Sequence, residues 1–350
     1  MIVFIQDLDN LRERIKGIDY SIMALISQRV NLALQIGKLK NERNLPVRNY
    51  QVEKQVFERI KGYSDEFQLD FDFTKEVYKQ IISQSVNAQI HDKYRLISPL
   101  LNKRALIIGG SGKMGTWFVR FLSSTGYDIE IVDPQIKHSE RGYTEIPQKL
   151  KSFDYIFVCV PLNKMKEVLE LLILRKPAAI IVEIASLKSS IIEIVEKANN
   201  QGIKLISIHP MFGPDVTDLS DRNLVVCTGE TNKDWISSEV NNIFRETMVN
   251  IQSLELRDHD KKMLYSLGLS HFMNILNGYI LSGSDIDFSD LKRFAGTTFN
   301  NQIITTQEVY NENPELYFSI QHINAYQDQL YSEIQSRTKD LIEIIKNDDE

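Results

Sequence analysis

Through residues 6–43 apolar side chains recur alternately three and four apart, at Leu8, Leu11, Ile15, Ile18, Ile22, Leu25, Leu32, Ile36 and Leu39. That spacing puts them on one face of a single long helix. Pro46 ends the run, because its ring and missing N–H cannot continue a helix. A second helical pattern passes through Val52, Val56 and Ile60 and is predicted to stop at Gly62 and the Asp-containing stretch after it. A third covers roughly 72–92, with Val77, Ile81, Ile82 and Val86 on one face. Three helices dominated by one very long member cannot cover their own apolar stripe, so a partner chain is expected.

The pattern then changes from a period near 3.6 to short β-rich runs: RALIIGG (104–110), IEIVD (129–133), YIFVCV (155–160), AIIVEI (179–184), KLISI (204–208) and LVVC (224–227). Helical stretches are read between the first five, which predicts a doubly wound parallel sheet. Residues 91–103 are expected to form the junction, and from about residue 256 the chain reads as helices. The expected architecture is an all-α domain over 1–92, an α/β Rossmann-type domain over 103–255 and an all-α domain over 256–350.

Composition adds mainly exclusions. The 350 residues are 43% hydrophobic and 25% charged, ordinary for a globular chain. A net charge of -6 points away from a nucleic-acid partner. No apolar run has membrane-spanning length, and MIVFIQDLDN turns acidic too early for a signal peptide. Cys159 and Cys227 lie inside apolar strand runs, so they read as reduced core residues in a cytoplasmic protein, with no metal site.

Arg29 breaks the stripe of the first helix, sharing a heptad position with Leu8, Ile15, Ile22 and Ile36. A buried guanidinium needs an anion. Lys40, eleven residues on, lies close to the same face. Ser85 and Gln89 are four apart on the third helix and project together, and Glu53 lies on the second. An anionic ligand and a structural ion pair both satisfy this pattern.

The run Gly110-Ser111-Gly112-Lys113-Met114-Gly115 follows a predicted strand and opens a predicted helix, and Asp133 ends the next strand. This is the dinucleotide fingerprint: close approach of a pyrophosphate to a helix N-terminus, and a carboxylate for ribose hydroxyls. The negative Asp133 favours NAD over NADP. A plain βα turn with structural glycines is the alternative. VCVPLNK, with Val160 and Pro161, EIASLKSS, with Ser186 and Lys188, and ISIHPMFGPD, with His209 and Asp215, fall at the C-terminal ends of successive strands. Ligands of open α/β sheets bind at that edge.

LRERIKGID, QRVNLALQIGKLK, PVR, VEKQVFERI and IISQSVNAQ together resemble the all-helical chorismate mutases over about Leu8 to Gln89. The resemblance implies that Arg12, Arg29 and Arg48 address the carboxylates of chorismate. Lys40 and Gln89 would then serve the ether oxygen, and Glu53 and Ser85 complete the pocket. Asn49 and Val52 stand where some relatives carry Asp and Arg. Arg12 and Lys40 are 28 residues apart, roughly 42 Å along one helix. A site using both must therefore draw on two chains, and a homodimer with shared mutase sites is expected.

HPMFGPD, RDHDKKMLYSLGLSHF (257–272) and NPELYFSI (313–320) resemble prephenate dehydrogenases, and the order of parts resembles the bifunctional chorismate mutase–prephenate dehydrogenases of tyrosine biosynthesis. That resemblance implies His209 as the catalytic histidine, Ser186 and Lys188 beside nicotinamide and substrate, and Asp215, His259 and His271 near the substrate. It also implies NAD as cofactor, and chorismate and prephenate as substrates. An arginine on the helical domain usually binds a substrate carboxylate in that family. Aligning back from NPELYFSI puts Asn300 there, so Arg293, seven residues earlier, is expected to substitute if one helix runs across Gly296. Two other readings fit parts of the chain: a β-hydroxyacid dehydrogenase with an unrelated helical cap, and a dehydrogenase whose first ninety residues are a non-catalytic dimerisation or ligand-sensing module.

Overall fold

The computed structural model describes residues 2–43, 50–101, 103–136, 141–216, 219, 222–229, 232–245, 247 and 249–347, without the side chains of 2–8, 41, 50, 51, 53, 54, 87 and 90–101. The first part is helical: α1 (Ile2–Glu42), α2 (Tyr50–Phe67) and α3 (Phe71–Leu101). Two expectations change here. Gly62 does not stop α2, which runs five residues further; an isolated glycine weakens a helix by only about 1 kcal/mol. The expected junction continues as α3 to Leu101. Ile60, Ile82 and Val86 are buried between the helices, but Leu11, Ile15, Ile18, Ile22, Leu25, Leu32, Ile36 and Leu39 remain 49% to 63% exposed. The long stripe is thus uncovered in the single chain.

The sheet domain runs β1 (Arg104–Ile108), α4 (Lys113–Ser124), β2 (Asp128–Val132), β3 (Gly142–Tyr143), β4 (Tyr155–Val158), α5 (Leu162–Arg175), β5 (Ile180–Glu183), α6 (Ile192–Asn200), β6 (Leu205–Pro210), β7 (Asn223–Thr228), α7 (Lys233–Ile243) and β8 (Asn250–Glu255). The strand order is β3-β2-β1-β4-β5-β6-β7-β8. Its first six members follow the dinucleotide-fold order. No helix lies between β2 and β4 among the described residues; the short β3 follows β2 and pairs parallel with it at the sheet edge. Pro134, Pro147 and Gly142 punctuate this stretch, where a helix would need uninterrupted N–H groups. β7 pairs antiparallel with β6, and Gly213 and Pro214 in the connection disfavour the crossover helix that a parallel pairing would need. Two cores sandwich the sheet. Leu106, Ile156, Leu169, Ile181 and Leu205 pack on one face, and Ile107, Phe118, Phe157, Ile206 and Val226 on the other.

The rest is helical: α8 (His259–Met263), α9 (Ser270–Ser282), α10 (Phe288–Arg293), α11 (Thr297–Asn311), α12 (Pro314–Ile323) and α13 (Gln327–Lys346). A π-helical turn over Leu264–Leu269 joins α8 to α9. The helix expected to carry both Arg293 and Asn300 is broken between α10 and α11, with Gly296 as the N-cap of α11.

Two glycines report opposite constraints. A Cβ on Gly115 would lie 2.0 Å from the Gly109 carbonyl oxygen, whereas one on Gly62 meets nothing within 4 Å. Gly115→Ala is therefore expected to lower stability by about 1–3 kcal/mol or more through overpacking. Gly62→Ala should raise it by roughly 0.5–1 kcal/mol. Thermal or urea unfolding of the two variants against wild type checks both signs.

Candidate functional site

The turn after β1 is shaped for an anionic ligand. Gly109 has φ of +81°, a conformation L side chains avoid, and a Cβ there would lie 2.5 Å from the Cys159 carbonyl oxygen. Gly110 sits against Ile131, where a Cβ would come within 2.4 Å. Gly112 caps α4 without any side-chain hydrogen bond, so no cap side chain occupies the first N–H groups at the positive end of the helix dipole. Asp133 is buried after β2, with Oδ2 accepting from the Ser111 N–H at 3.1 Å and Oδ1 from the Gln135 N–H at 2.9 Å. Lys113 reaches away and pairs with Glu312 at 2.7 Å. Met114 packs on the core. Val160 and Pro161 follow β4 on the same edge, Pro161 as the N-cap of α5.

The same edge carries the titratable cluster. His209 lies near the end of β6 and is buried. Its Nδ1 is 3.1 Å from Nε2 of His259, whose Nδ1 is 2.6 Å from Oδ1 of Asp260. Burial, then neighbouring His259 and Lys188, hold the His209 pKa well below its ordinary value, against a weaker pull from Asp260. Burial likewise lowers His259. Burial alone would raise Asp260; hydrogen bonds from His259, Ser189 and the Lys188 N–H outweigh it and hold the carboxyl below its usual range. His209 is thus a neutral imidazole near neutral pH, with Nδ1 turned to His259.

Lys188 has no exposed surface. Its Nζ pairs with Glu183 Oε1 at 2.7 Å and donates to the Ile208 carbonyl at 2.9 Å. The other Glu183 oxygen accepts from the Ala185 N–H at 2.7 Å. The ammonium expected beside the ligand is engaged inside the fold by Glu183 and the Ile208 carbonyl. His259 is also fully buried and touches His209, not open space. Arg293 is exposed and pairs with Asp290 at 3.3 Å; with the helix broken before Asn300, the shared face on which it was to stand in is not formed. Asn300 and Asp215 are exposed and Ser186 is half-buried. His271 keeps a buried Nδ1 without a partner, packs edge-on to Tyr317 at 4.7 Å, and is pushed down by burial to about 4. Among the described residues no hydrogen bond ties Ser186, Asp215, His271 or Asn300 to the His209 cluster.

Glu183, Ser189, Asp260 and Gly109 were not singled out from the sequence. A carboxylate closing the apolar strand AIIVE and a second acid beside His259 in RDHDKK were the available signals.

In the helical part, Arg29 is half-buried and donates through Nη1 to Ser85 Oγ at 2.5 Å and to the Ile81 carbonyl at 3.3 Å. Burial lowers its pKa. No acid answers Arg29 among these described contacts. Gln89 is buried, its Oε1 without a partner. Gly37 makes room for it, since a Cβ there would come 2.8 Å from Gln89 Cγ. Lys40 is half-buried on α1. Arg12 is exposed near the other end and pairs with Asp9 at 3.2 Å. Arg48 lies outside the described residues, as does the side chain of Glu53.

Three family models match the chain: chorismate mutase type II over residues 11–90, the nucleotide-binding domain of prephenate dehydrogenase over 122–253, and its dimerization domain over 256–350. The glycine turn precedes the second match, so its reading rests on its own geometry. The chain is 24% identical over 323 residues to the T-protein of Haemophilus influenzae, covering 91% of this chain and 81% of that one. Its fold is similar to prephenate dehydrogenase from Aquifex aeolicus in complex with hydroxyphenyl propionate and NAD+, with TM-score 0.57 and 16% identity over 70% of this chain and 91% of that one. It is also similar to Synechocystis arogenate dehydrogenase, with TM-score 0.54 and 19% identity over 70% and 92%.

The Lys188–Glu183 pair sets a stability expectation. Lys188→Met strands a buried carboxylate and should cost about 3–5 kcal/mol. Lys188→Met/Glu183→Gln removes both charges, keeps an acceptor for the Ala185 N–H, and should recover part of that loss. Urea unfolding of both variants is the measurement. Equal stability of Lys188→Met and wild type would show that the pair is not holding this loop.

Proposed function

We infer, from the premise that this chain belongs to the bifunctional chorismate mutase–prephenate dehydrogenases, that it converts chorismate to prephenate and oxidatively decarboxylates prephenate to 4-hydroxyphenylpyruvate in tyrosine biosynthesis. The observation that carries the dehydrogenase assignment is the buried, neutral His209 at the C-terminal edge of the sheet, the same edge that carries the glycine turn and the N-terminus of α4.

The glycine turn fits a dinucleotide: side chains at Gly110 and Gly115 would fill the cradle. Gly110 to Gly115 would hold the pyrophosphate through backbone N–H groups. Asp133 would exchange its Ser111 contact for ribose hydroxyls and disfavour a 2′-phosphate, which selects NAD. When bound, the nicotinamide accepts the hydride. His209 Nε2 accepts the proton of the ring hydroxyl as that hydride leaves the same carbon. The ring carboxylate then departs as carbon dioxide. Its bonding electrons restore the aromatic ring, and the phenol oxygen recovers a proton from the imidazolium. A neutral imidazole is the form this requires.

The mutase reaction is a unimolecular rearrangement that needs a folded substrate and donors where charge grows on the ether oxygen. Arg29 supplies charge on a face with Ser85. Lys40 and Gln89 are the donors proposed for the ether oxygen, with Arg48 and Glu53 completing the pocket. Continuous α1 keeps Arg12 and Lys40 about 42 Å apart, so Arg12 comes from a second copy whose α1 covers the exposed stripe. The dimerization-domain match supports a homodimer. No helix is long and apolar enough to cross a membrane among the described residues.

Product analysis with chorismate, with and without NAD, tests the two activities: prephenate should accumulate without NAD and 4-hydroxyphenylpyruvate form with it. Lys40→Ala should abolish the first step and leave oxidation of added prephenate nearly intact. Mixing Lys40→Ala with Arg12→Ala chains should restore some mutase activity in hybrid dimers. No recovery despite demonstrated subunit exchange would refute the shared site.

The pH dependence follows from the sign of the His209 shift. Its pKa lies below the ordinary ~6.5 of histidine, so the accepting form persists below that pH and dehydrogenase kcat/KM should fall only on the acid side of it. His209→Asn should bind NAD normally and lose about a hundredfold or more in turnover. Steady-state rates across pH check both; an acid limb above pH 7, or near-wild-type turnover, would move the base elsewhere.

A further inference from the structure

Asp260 touches neither the glycine turn nor the open face of His209, yet it gathers more hydrogen bonds than any other side chain around the site. Its Oδ2 accepts from the Ser189 N–H at 2.6 Å, from the Lys188 N–H at 3.0 Å and from the Ser189 hydroxyl. Its Oδ1 accepts from the Lys188 N–H at 2.9 Å and faces His259 Nδ1 at 2.6 Å. Its own carbonyl accepts from Asn324 Nδ2 at 2.9 Å. Both carboxylate oxygens are therefore held by the Lys188–Ser189 loop, and Oδ1 is in addition aimed at an imidazole.

We propose that Asp260 is a positioning residue that sets the tautomers of His259 and His209, and thereby keeps Nε2 of His209 as the proton acceptor. An ionised carboxylate can only accept, so His259 Nδ1 must carry the hydrogen. Neutral His259 then presents a bare Nε2. The nitrogen facing it, His209 Nδ1, must donate, and neutral His209 is left with a bare Nε2. Every proton in the chain Asp260–His259–His209 follows from the charge at its buried end. Both imidazoles are held neutral by burial, and Lys188 and Glu183 face them as an internally compensated pair.

The substitution Asp260→Asn reverses this logic without removing an atom of bulk. The oxygen of the amide takes the Oδ2 position, where the Ser189 N–H, the Ser189 hydroxyl and the Lys188 N–H all donate, whereas the single backbone donor at Oδ1 is that same Lys188 N–H, which keeps its bond to the other oxygen. The NH2 group is then turned to His259 Nδ1. His259 must take the other tautomer, donate from Nε2 to His209 Nδ1, and leave His209 with a hydrogen on Nε2, where no proton can be accepted. The inference rests on His209 being the base, so the test separates the two questions.

Nitrogen-15 NMR of the full chain labelled at its 6 histidines reads the tautomers directly, without turnover. In wild type, His209 should show a protonated Nδ1 and a bare Nε2, and Asp260→Asn should exchange them. Turnover of prephenate by Asp260→Asn should fall by about a hundredfold to ten-thousandfold, the scale of a wrong-tautomer base. Its KM for prephenate and its NAD affinity should stay within about twofold, a split that general loosening of the site would not give. A wild-type His209 protonated at Nε2 overturns the proposal even if no variant folds. So does an Asp260→Asn enzyme with unchanged tautomers or turnover within about threefold of wild type. Wild-type tautomers as stated in a chain that does not oxidise prephenate would instead sink the functional reading and leave the role of Asp260 standing.

Discussion

A lysine with no exposed surface must find both its countercharge and its hydrogen-bond acceptors inside the protein, and much of the dehydrogenase half is arranged around how Lys188 does so. Its ammonium is closed by Glu183 at the end of β5 and by the Ile208 carbonyl in β6, one residue before His209. Its own N–H and that of Ser189 close on Asp260 in α8. The turn between α12 and α13 joins through Asn324 to the Asp260 carbonyl and through the Ala325 N–H to Ser189 Oγ. One short loop thus ties two parallel strands to three helices of the following segment. His209 is presented by an element that cannot shift without exposing a charge.

That arrangement also explains why the site contains so many ionisable groups and so little free charge at its base. Glu183 and Lys188 cancel, Asp260 is saturated by donors, and both imidazoles stay neutral because charging either would cost desolvation. Positive charge for a dianionic substrate must therefore come from elsewhere than Lys188. Arg293 does not reach back across the break between α10 and α11, and its ion pair with Asp290 is an exposed contact of small energetic worth. A cation supplied across a chain interface is compatible with what the helical domains leave open.

The helical ends share one unmet requirement. The α1 stripe, and Tyr279, Ile280, Phe294, Phe318 and Ile345 near the other end, present large apolar surface to solvent in the single chain. Surface of that extent is ordinarily covered. The dimerization-domain match points the same way. A second α1 laid on the stripe would bury that apolar area, and under the proposed shared site it would also bring a distant arginine within reach of Lys40.

Periodicity alone was enough to separate the helical segment, the sheet and the closing helices, because a period near 3.6 and a run of short β-branched strands are local properties of the chain. The glycine turn was equally legible, since only glycine tolerates the close approaches at Gly110 and Gly115. Where local cues misled, a weak signal met a stronger context: Gly62 was absorbed into α2, and the Rossmann crossover between β2 and β4 lost its helix to prolines that periodicity had not weighed. His209 could be picked out by its place after a strand, but its protonation could not. That depends on His259, 50 positions away, on Asp260, and on donors from Lys188 and Ser189, 71 or 72 positions from that acid. The sequence by itself determined which residue types were available at which edge. Only the tertiary structure decided that Lys188 would be spent on Glu183 and that Asp260, His259 and His209 would meet in one buried chain of contacts. Burial is what turns a nearby charge into a binding constraint, and burial is a property of the packed chain.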